Sequence, residues 1–557
     1  MIKNYFLLAI LCKLSLLFTQ SLPAQIPGWN WAQSVGGAKT DLANAITSDP
    51  EGNILMVGYF QSPSIIFGTD TLTGSSGTKK MFLAKYNSLG NLLWAKTVGQ
   101  NAEGNAKSVA TDANGNIYVS GYFSSQSITF GNSTYLNHGQ WDMFLVKYDP
   151  DGQVLWSVST GGPTHDDGLC VAVDATGNVV VAGYFKGPTL TFGSTTLTSS
   201  SPSISLTEMF VAKFDAEGQL KWAKSAGGDE YDQANSVAID NSGNIILAGS
   251  FSGSTMSFGN VSLSNSSNLS EAFLAKYDPE GNILWARNAA GANFDDATSV
   301  TVSQAGDIFV AGKFYSTTLS FGNLTISNAG ADDIFLVKYN TDGNPVWAKS
   351  IGGGKNDSAK SVFADTEGNV LLAGGFQSTT IAFGSTIFTN VSVFTNSDLF
   401  LAKFNSAGNV LWAKSVGGEA FEIANGVTMN KLGYIYIAGE FSSNALSFSN
   451  TTITTAGVTD MFIASIGEST DTIELPKNET ALVFPNPTTG PVFYLIQADW
   501  EGTNMFVWDV LGKLRITKPI TNQFGQIDLT GLENGVFVLS IQSANKVLHS
   551  QKLIIRN

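Results

Sequence analysis

The sequence is short of charge, arginine, histidine and cysteine, and each shortage excludes a class of function. Charged residues make up 13 % of the 557, and the net charge is -15. Arginine occurs only at 287, 515 and 556. A protein that grips nucleic acid needs a basic face against the phosphates, so no nucleic-acid partner is expected. The histidines are His138, His165 and His549. None stands in an HExxH pattern, and there is no GxSxG elbow. The arginine cluster of a sialidase is missing as well. Of the two cysteines, Cys12 falls in the leader and Cys170 is left alone, which excludes an intrachain disulfide framework and a CxxC metal site. No cofactor, no metal and no catalytic constellation is expected.

Long apolar runs are also scarce. Residues 1–24 read as a secretory signal: Lys3 gives the positive start, Tyr5 to Phe18 is apolar apart from Lys13 and Ser15, and Leu22-Pro23-Ala24 resembles a cleavage site. Lys13 breaks the run well short of a span, and no later stretch could cross a bilayer. The mature chain is therefore expected to lack a transmembrane span.

What the sequence has in abundance is a period. Gly-Asn-Leu-Leu-Trp94 recurs as Gly-Gln-Val-Leu-Trp156, Gly-Gln-Leu-Lys-Trp222, Gly-Asn-Ile-Leu-Trp285, Gly-Asn-Pro-Val-Trp347 and Gly-Asn-Val-Leu-Trp412, with a shortened copy at Trp31. The steps are 63, 62, 66, 63, 62 and 65 residues. Each unit carries a short apolar strand, a Gly-Asn turn, a second strand, a variable stretch with a Phe-Gly mark, a third strand of the Phe-Leu-Ala-Lys-Tyr kind, and the Trp strand. Four strands in roughly 60 residues is the arithmetic of a propeller blade, because one sheet cannot bury both its faces alone. Seven first strands are counted, but the seventh unit has no Trp strand after it. The spare Trp31 segment is predicted to pair beside Phe462-Ile463-Ala464 and so close the ring.

The Asp-x-x-Gly-Asn turns, Gly-x-Phe marks and Phe-Leu-Ala-Lys-Tyr…Gly-Asn-x-Leu-Trp runs resemble the bacterial seven-bladed β-propeller repeat family over residues 29–466. After a polar linker, Phe484-Pro485-Asn486-Pro487-Thr488-Thr489-Gly490, Asp509-Val510-Leu511-Gly512-Lys513, Asn534-Gly535-Val536-Phe537 and the tail from Lys552 resemble the type A C-terminal sorting domain of the Bacteroidetes type IX secretion system. That resemblance implies a partnership with the type IX secretion machinery and delivery, via the periplasm, to the outer-membrane surface or the medium.

The expected fold is thus all-β: a signal peptide at 1–24, a seven-bladed β-propeller closed by an N-terminal strand at 25–467, a linker at 468–479, and a small C-terminal β-sandwich at 480–557. The candidate site is an acidic position ten residues after each Trp: Asp41, Asp166, Asp232, Asp295, Asp357 and Glu422, with Gly104 in the second unit. Seven-fold geometry would set these acids around one channel mouth, where they could hold a cation or an amine. The alternative is that each carboxylate caps its own turn. Trp141 and Tyr135, in a variable stretch, are candidates for stacking on a sugar. Asp70-Thr71-Leu72, Asp357-Ser358-Ala359 and Asp471-Thr472-Ile473 resemble an O-glycosylation signal. The expected function is a monomeric, non-enzymatic scaffold that binds extracellular protein or polysaccharide. The alternatives are a glycan-active hydrolase or lyase using these acids, and a structural adhesin.

Overall fold

The computed structural model describes residues 26–467 apart from 101, 202 and 393–395. Of the C-terminal part it describes 481–484, 492–496, 503–510, 512–520, 524–529, 531–543 and 546–555. The signal peptide, Asp471, Pro485, Asn486, Pro487 and Gly490 lie outside the described residues. The chain divides into two compact units, Met1–Glu468 and Ser469–Asn557.

Among its described residues the first unit holds seven four-stranded antiparallel sheets. In the first, the strands run Asp41–Ser48, Ile54–Phe60, Lys80–Tyr86 and Leu92–Thr97, each paired with the next. The first strand of each sheet, here called inner, packs against the first strands of its two neighbours. Asp41–Ser48 lies between Gly104–Thr111 and Glu422–Met429. No sheet closes on itself among the described residues; they remain separate and packed face to face. Second and third strands are buried on both faces, so Ile54–Phe60 has no exposed residue. This is why they read as continuous apolar runs and not as alternation.

The variable stretch, to which the sequence pattern assigns no strands, is a further two-stranded hairpin in every unit, such as Ser64–Phe67 with Asp70–Thr73. Its Phe plugs onto the third-strand Phe of its own sheet. The ring centroids are 5.2 Å apart for Phe67 and Phe82, and 5.1 Å for Phe383 and Phe400. The residue after that Phe turns at positive φ, +54° at Gly68, which is why glycine recurs there.

The Trp strand ends the sheet, and in several sheets its indole fastens it to the next. Trp156, Trp222 and Trp347 donate Nε1–H to the carbonyls of Ala216, Pro279 and Ser406, at 2.9, 3.0 and 3.1 Å. Each ring lies against a turn glycine of the following sheet, Gly218 under Trp156 and Gly281 under Trp222, where a Cβ would collide with the indole. The strand Gly28–Val35 pairs as expected with Asp460–Gly467, with Trp31 opposite Ser465 and Ala32 opposite Ala464. Trp31 then repeats the fastening on the first unit, donating to the Ser88 carbonyl at 3.4 Å and covering Gly90.

The second unit has a three-stranded sheet, Ala481–Phe484, Val492–Ile496 and Phe524–Ile527, and a four-stranded one, Leu514–Pro519, Thr503–Asp509, Gly535–Ser543 and Lys546–Ile555. Both sheets feed one core that includes Val483, Val492, Val507, Leu539 and Leu553. Gly512, at φ +81°, and Lys513 form the turn capped by Asp509, whose Oδ1 accepts the Lys513 amide at 2.9 Å. Gly535 opens its strand, and Lys552 is exposed opposite Val538.

Candidate functional site

The six acids of the expected ring open the inner strands, but each is fully buried. The carboxylates are taken up by amides and hydroxyls of the neighbouring turns. Asp41 accepts the amides of Gly37, Gln61 and Ser62 at 2.8, 2.9 and 3.1 Å, and the Ser62 hydroxyl at 2.7 Å. Asp357 repeats this set with Gly353, Gln377 and Ser378. Asp295 accepts from Tyr315 and Ser316, Asp166 from Gly162 and Lys186, Asp232 from Gly228, and Glu422 from Gly418 and the Ser443 hydroxyl. Five of the six, all but Asp295, accept the amide four residues before them, as the turn-capping alternative has it, and all but Asp232 also draw on donors at or beyond the end of the second strand.

The structure adds a partner that sequence reasoning missed. A second buried acid, at or next to the start of the preceding sheet's third strand, faces each of the six; it acts electrostatically on Asp166, Asp232, Asp357 and Glu422, while Asp41 and Asp295 act on their partners. The pairs are Asp460 with Asp41, Asp142 with Asp166, Glu208 with Asp232, Glu271 with Asp295, Asp333 with Asp357, and Asp398 with Glu422. Burial, reinforced by the neighbouring carboxyl, pushes Asp166 up to about 7, Asp232 to about 8, Asp357 to about 6 and Glu422 to about 7. Among the described residues, no group of three or more His, Cys, Asp or Glu could hold a metal ion.

The open site lies elsewhere. Every inner strand carries a β-bulge, marked by a register shift between Ala43 and Ala45 in the first sheet and between Ala359 and Ser361 in the sixth. A bulge re-aims one side chain out of the ladder. Here the re-aimed residues Asn44, Lys107, Asn235, Thr298, Lys360 and Asn425 line a cavity of about 450 Å³, together with Leu42, Gln233, Asp296, Lys313 and Glu440. The lining comes from six of the seven sheets, and none of the six buried acids is part of it.

Four of these side chains also tie their sheet to the next. Asn44 and Asn235 donate to the carbonyls of Ala106 and Ala297 at 2.8 Å, while Thr298 and Asn425 reach Ala359 and Ala43 at 3.0 Å. Of the two lysines, Lys107 reaches the next sheet by charge and Lys360 does not. Lys107 turns to Asp167 at 3.8 Å and lies 5.7 Å from the Tyr122 ring centroid. Lys360 makes no ion pair within 4 Å among the described residues. Burial and the nearby Lys313 lower its pKa, and Glu440 opposes them. The signal that could have found this site is variability at one register position, the third residue after each acid, beside a small residue.

Other candidates resolve plainly. Trp141 stacks on Tyr122, centroids 4.2 Å apart, with its other contact to His165 edge-on. Tyr135 donates its hydroxyl to the Ser157 carbonyl at 2.6 Å and so fills the sheet edge. His138 is tied to Asp142 at 3.0 Å. Cys170 is buried, and burial pushes its thiol well up, away from reactivity. Of the glycosylation tripeptides, Asp70 accepts the Ala95 amide at 3.0 Å and Asp357 is buried.

The chain is thus an all-β repeat protein of propeller type with a separate C-terminal β unit. Residues 482–556 match the family described as secretion system C-terminal sorting domain. That domain directs the chain to secretion or to attachment at the outer-membrane surface, and among the described residues no helix is long and apolar enough to cross a membrane. An uncharacterised WD repeat-containing protein of Acanthamoeba polyphaga mimivirus is 24 % identical over 510 residues, 75 % of this chain and 36 % of that protein. Regulatory protein FlaEY of Caulobacter vibrioides is 29 % identical over 161 residues, 28 % of this chain and 16 % of that protein. The chain therefore spans about a third or less of either relative. Among solved structures, Sqt1 from Chaetomium thermophilum is 10 % identical with a TM-score of 0.38, covering 75 % of this chain and 83 % of that one. PorZ, a surface component of the Porphyromonas gingivalis type IX secretion system, is 11 % identical with a TM-score of 0.20, covering 92 % and 81 %.

Proposed function

We propose that this is a secreted or surface-displayed propeller of seven blades, closed by the strand Gly28–Val35. It binds an extracellular polysaccharide or protein in its central cavity and does not turn it over. The cavity lined by bulge residues carries this reading. Six sheets converge on it with amides, one hydroxyl and charged groups, and Leu42 is the one apolar side chain among the lining residues, a set of donors and acceptors that matches sugar hydroxyls or a polar peptide. Lys360, freed from the inter-sheet tie that Asn44, Asn235 and Asn425 make, is the residue best placed to contact a ligand. Ring closure is supported by Trp31 on Gly90 and by the bond from Asn425 to Ala43, which join the seventh sheet to the first as other sheets are joined. The absence of turnover is supported by the burial of Asp41, Asp166, Asp232, Asp295, Asp357 and Glu422, which keeps these six carboxyls from a substrate.

The purified full chain, screened against polysaccharide and protein arrays, should retain ligands without releasing products. Lys360→Ala should weaken binding by about tenfold, the loss of one well-placed polar contact. Product release from any polysaccharide, abolished by Asp296→Asn, would establish the hydrolase or lyase reading instead.

A further inference from the structure

Six of the seven sheet junctions bury two carboxyl groups together, and three observations bear on their state. First, one amide serves two carboxyls. The Gly37 N–H that bonds Asp41 Oδ2 at 2.8 Å also acts on Asp460, and Gly353 sits likewise between Asp357 and Asp333. Second, at five of the six junctions one carboxyl oxygen is buried with no hydrogen-bond partner: Oδ1 of Asp142, Asp232, Asp333, Asp398 or Asp460. A buried acceptor without a donor is costly. Third, at the junction where Gly104 replaces the inner acid, Lys80 replaces the third-strand acid as well. The two acids are lost together, as expected if each exists for the other.

We propose that these junctions keep a shared proton on their pairs of carboxyl groups from mildly acidic to near-neutral pH, so that assembling the sheets takes up protons and mild acidity tightens the contact between them. The proton removes one of two like charges and turns the orphan oxygen into an O–H donor. A cation is a poorer occupant, because the surrounding groups are N–H and O–H donors and the pair offers two side chains where a metal site needs more.

The junction of Asp398 and Glu422 is the simplest. Burial pushes the first up to about 6 and the second to about 7, and Asp398 is the charged group that acts on Glu422. Glu419, on the intervening turn, is exposed. At the other junctions the facing groups are mostly further acids: Asp167, Asp229, Glu230, Asp296 and Asp332. The cations nearby are His138 against Asp142, Lys107 against Asp167, and Lys313 against Asp332. Because the folded pKa values lie above the unfolded ones, this stabilisation is complete below about pH 4 and disappears as pH rises through about 6 to 8.

Thermal unfolding of the full chain from about pH 5 to about pH 8.5 tests this, with calcium and with chelator. The Tm should fall by several degrees toward alkaline pH in both. Asp398→Asn, which supplies a neutral donor at the orphan position, should raise Tm at the alkaline end and flatten the slope. A flat wild-type profile, an alkaline loss reversed by calcium, or an equal loss in the variant at both ends would overturn the proposal. If the variant does not fold, refolding the wild type in two buffers of different ionisation enthalpy reads the protons directly. Net uptake near neutral pH supports the proposal, and none overturns it.

Discussion

Ser449 stands where six other hairpins carry glycine, and it adopts their conformation, φ +53° beside +54° at Gly68 and +62° at Gly384. A left-handed backbone costs a residue with a Cβ about 1–2 kcal/mol, part of which a glycine gives back through its freer unfolded chain. Ser449→Gly is therefore expected to stabilise the first unit by about 0.5–1 kcal/mol, read as a shift in the denaturant midpoint at unchanged m-value. The Phe-Gly mark and its lapse at Phe448-Ser449 were legible in the sequence. The hairpin around the mark was not, because four-residue strands carry too little pattern to separate them from a loop. At the same scale, the acids were found by their spacing, but their burial was not. Spacing fixes where a side chain starts and says nothing of which neighbouring turn absorbs it.

At the scale of the element, the third strand shows how one residue type serves two sheets. Lys85, Lys276 and Lys403 reach Asp49, Asp240 and Asp365 of their own sheet at 2.9, 2.9 and 3.2 Å. Lys85 and Lys276 also donate to carbonyls of the following sheet, Pro150 and Thr341. In the seventh sheet, Ser465 replaces the lysine and Asn430 the aspartate, so the ion pair is absent from both sides at once. Ser465 instead receives the Asn30 amide at 3.3 Å, from the strand that arrives from the other end of the chain. Removing residues 26–35 strips Asp460–Gly467 of its outer partner and Gly90 of its indole cover. The Tm should drop far more than for trimming an ordinary terminus, and unfolding at an unchanged temperature would refute closure.

At the scale of the whole molecule, two populations of carboxyls act in opposite directions with pH. For Asp174 and Asp240, burial alone would raise the pKa, but donors outweigh it: Thr176 and Asn178 for the first, Asn244 and Lys276 for the second. Both are held below the usual range. Their contribution is present above about pH 4 and is lost as pH falls below it, whereas that of the buried pairs is lost as pH rises. Stability of the first unit should therefore peak between about pH 4 and about pH 6, and a Tm profile that instead rises steadily to pH 8 would contradict this balance.

The sequence by itself determined the repeat, the all-β class, the pairing of the Trp31 segment with residues near 462–464, and the sorting domain. Each of these rests on periodicity or on short motifs, which hydrogen-bond geometry and turn stereochemistry read locally. Only the tertiary structure decided which residues face the cavity and which carboxyls share a junction. A bulge shifts the inward-facing residue by one, and a junction joins carboxyls 24 positions apart in five cases and, for Asp41 and Asp460, at opposite ends of the unit. A constant spacing alone does not show that two side chains meet, since both relations arise only when one sheet is laid against the next.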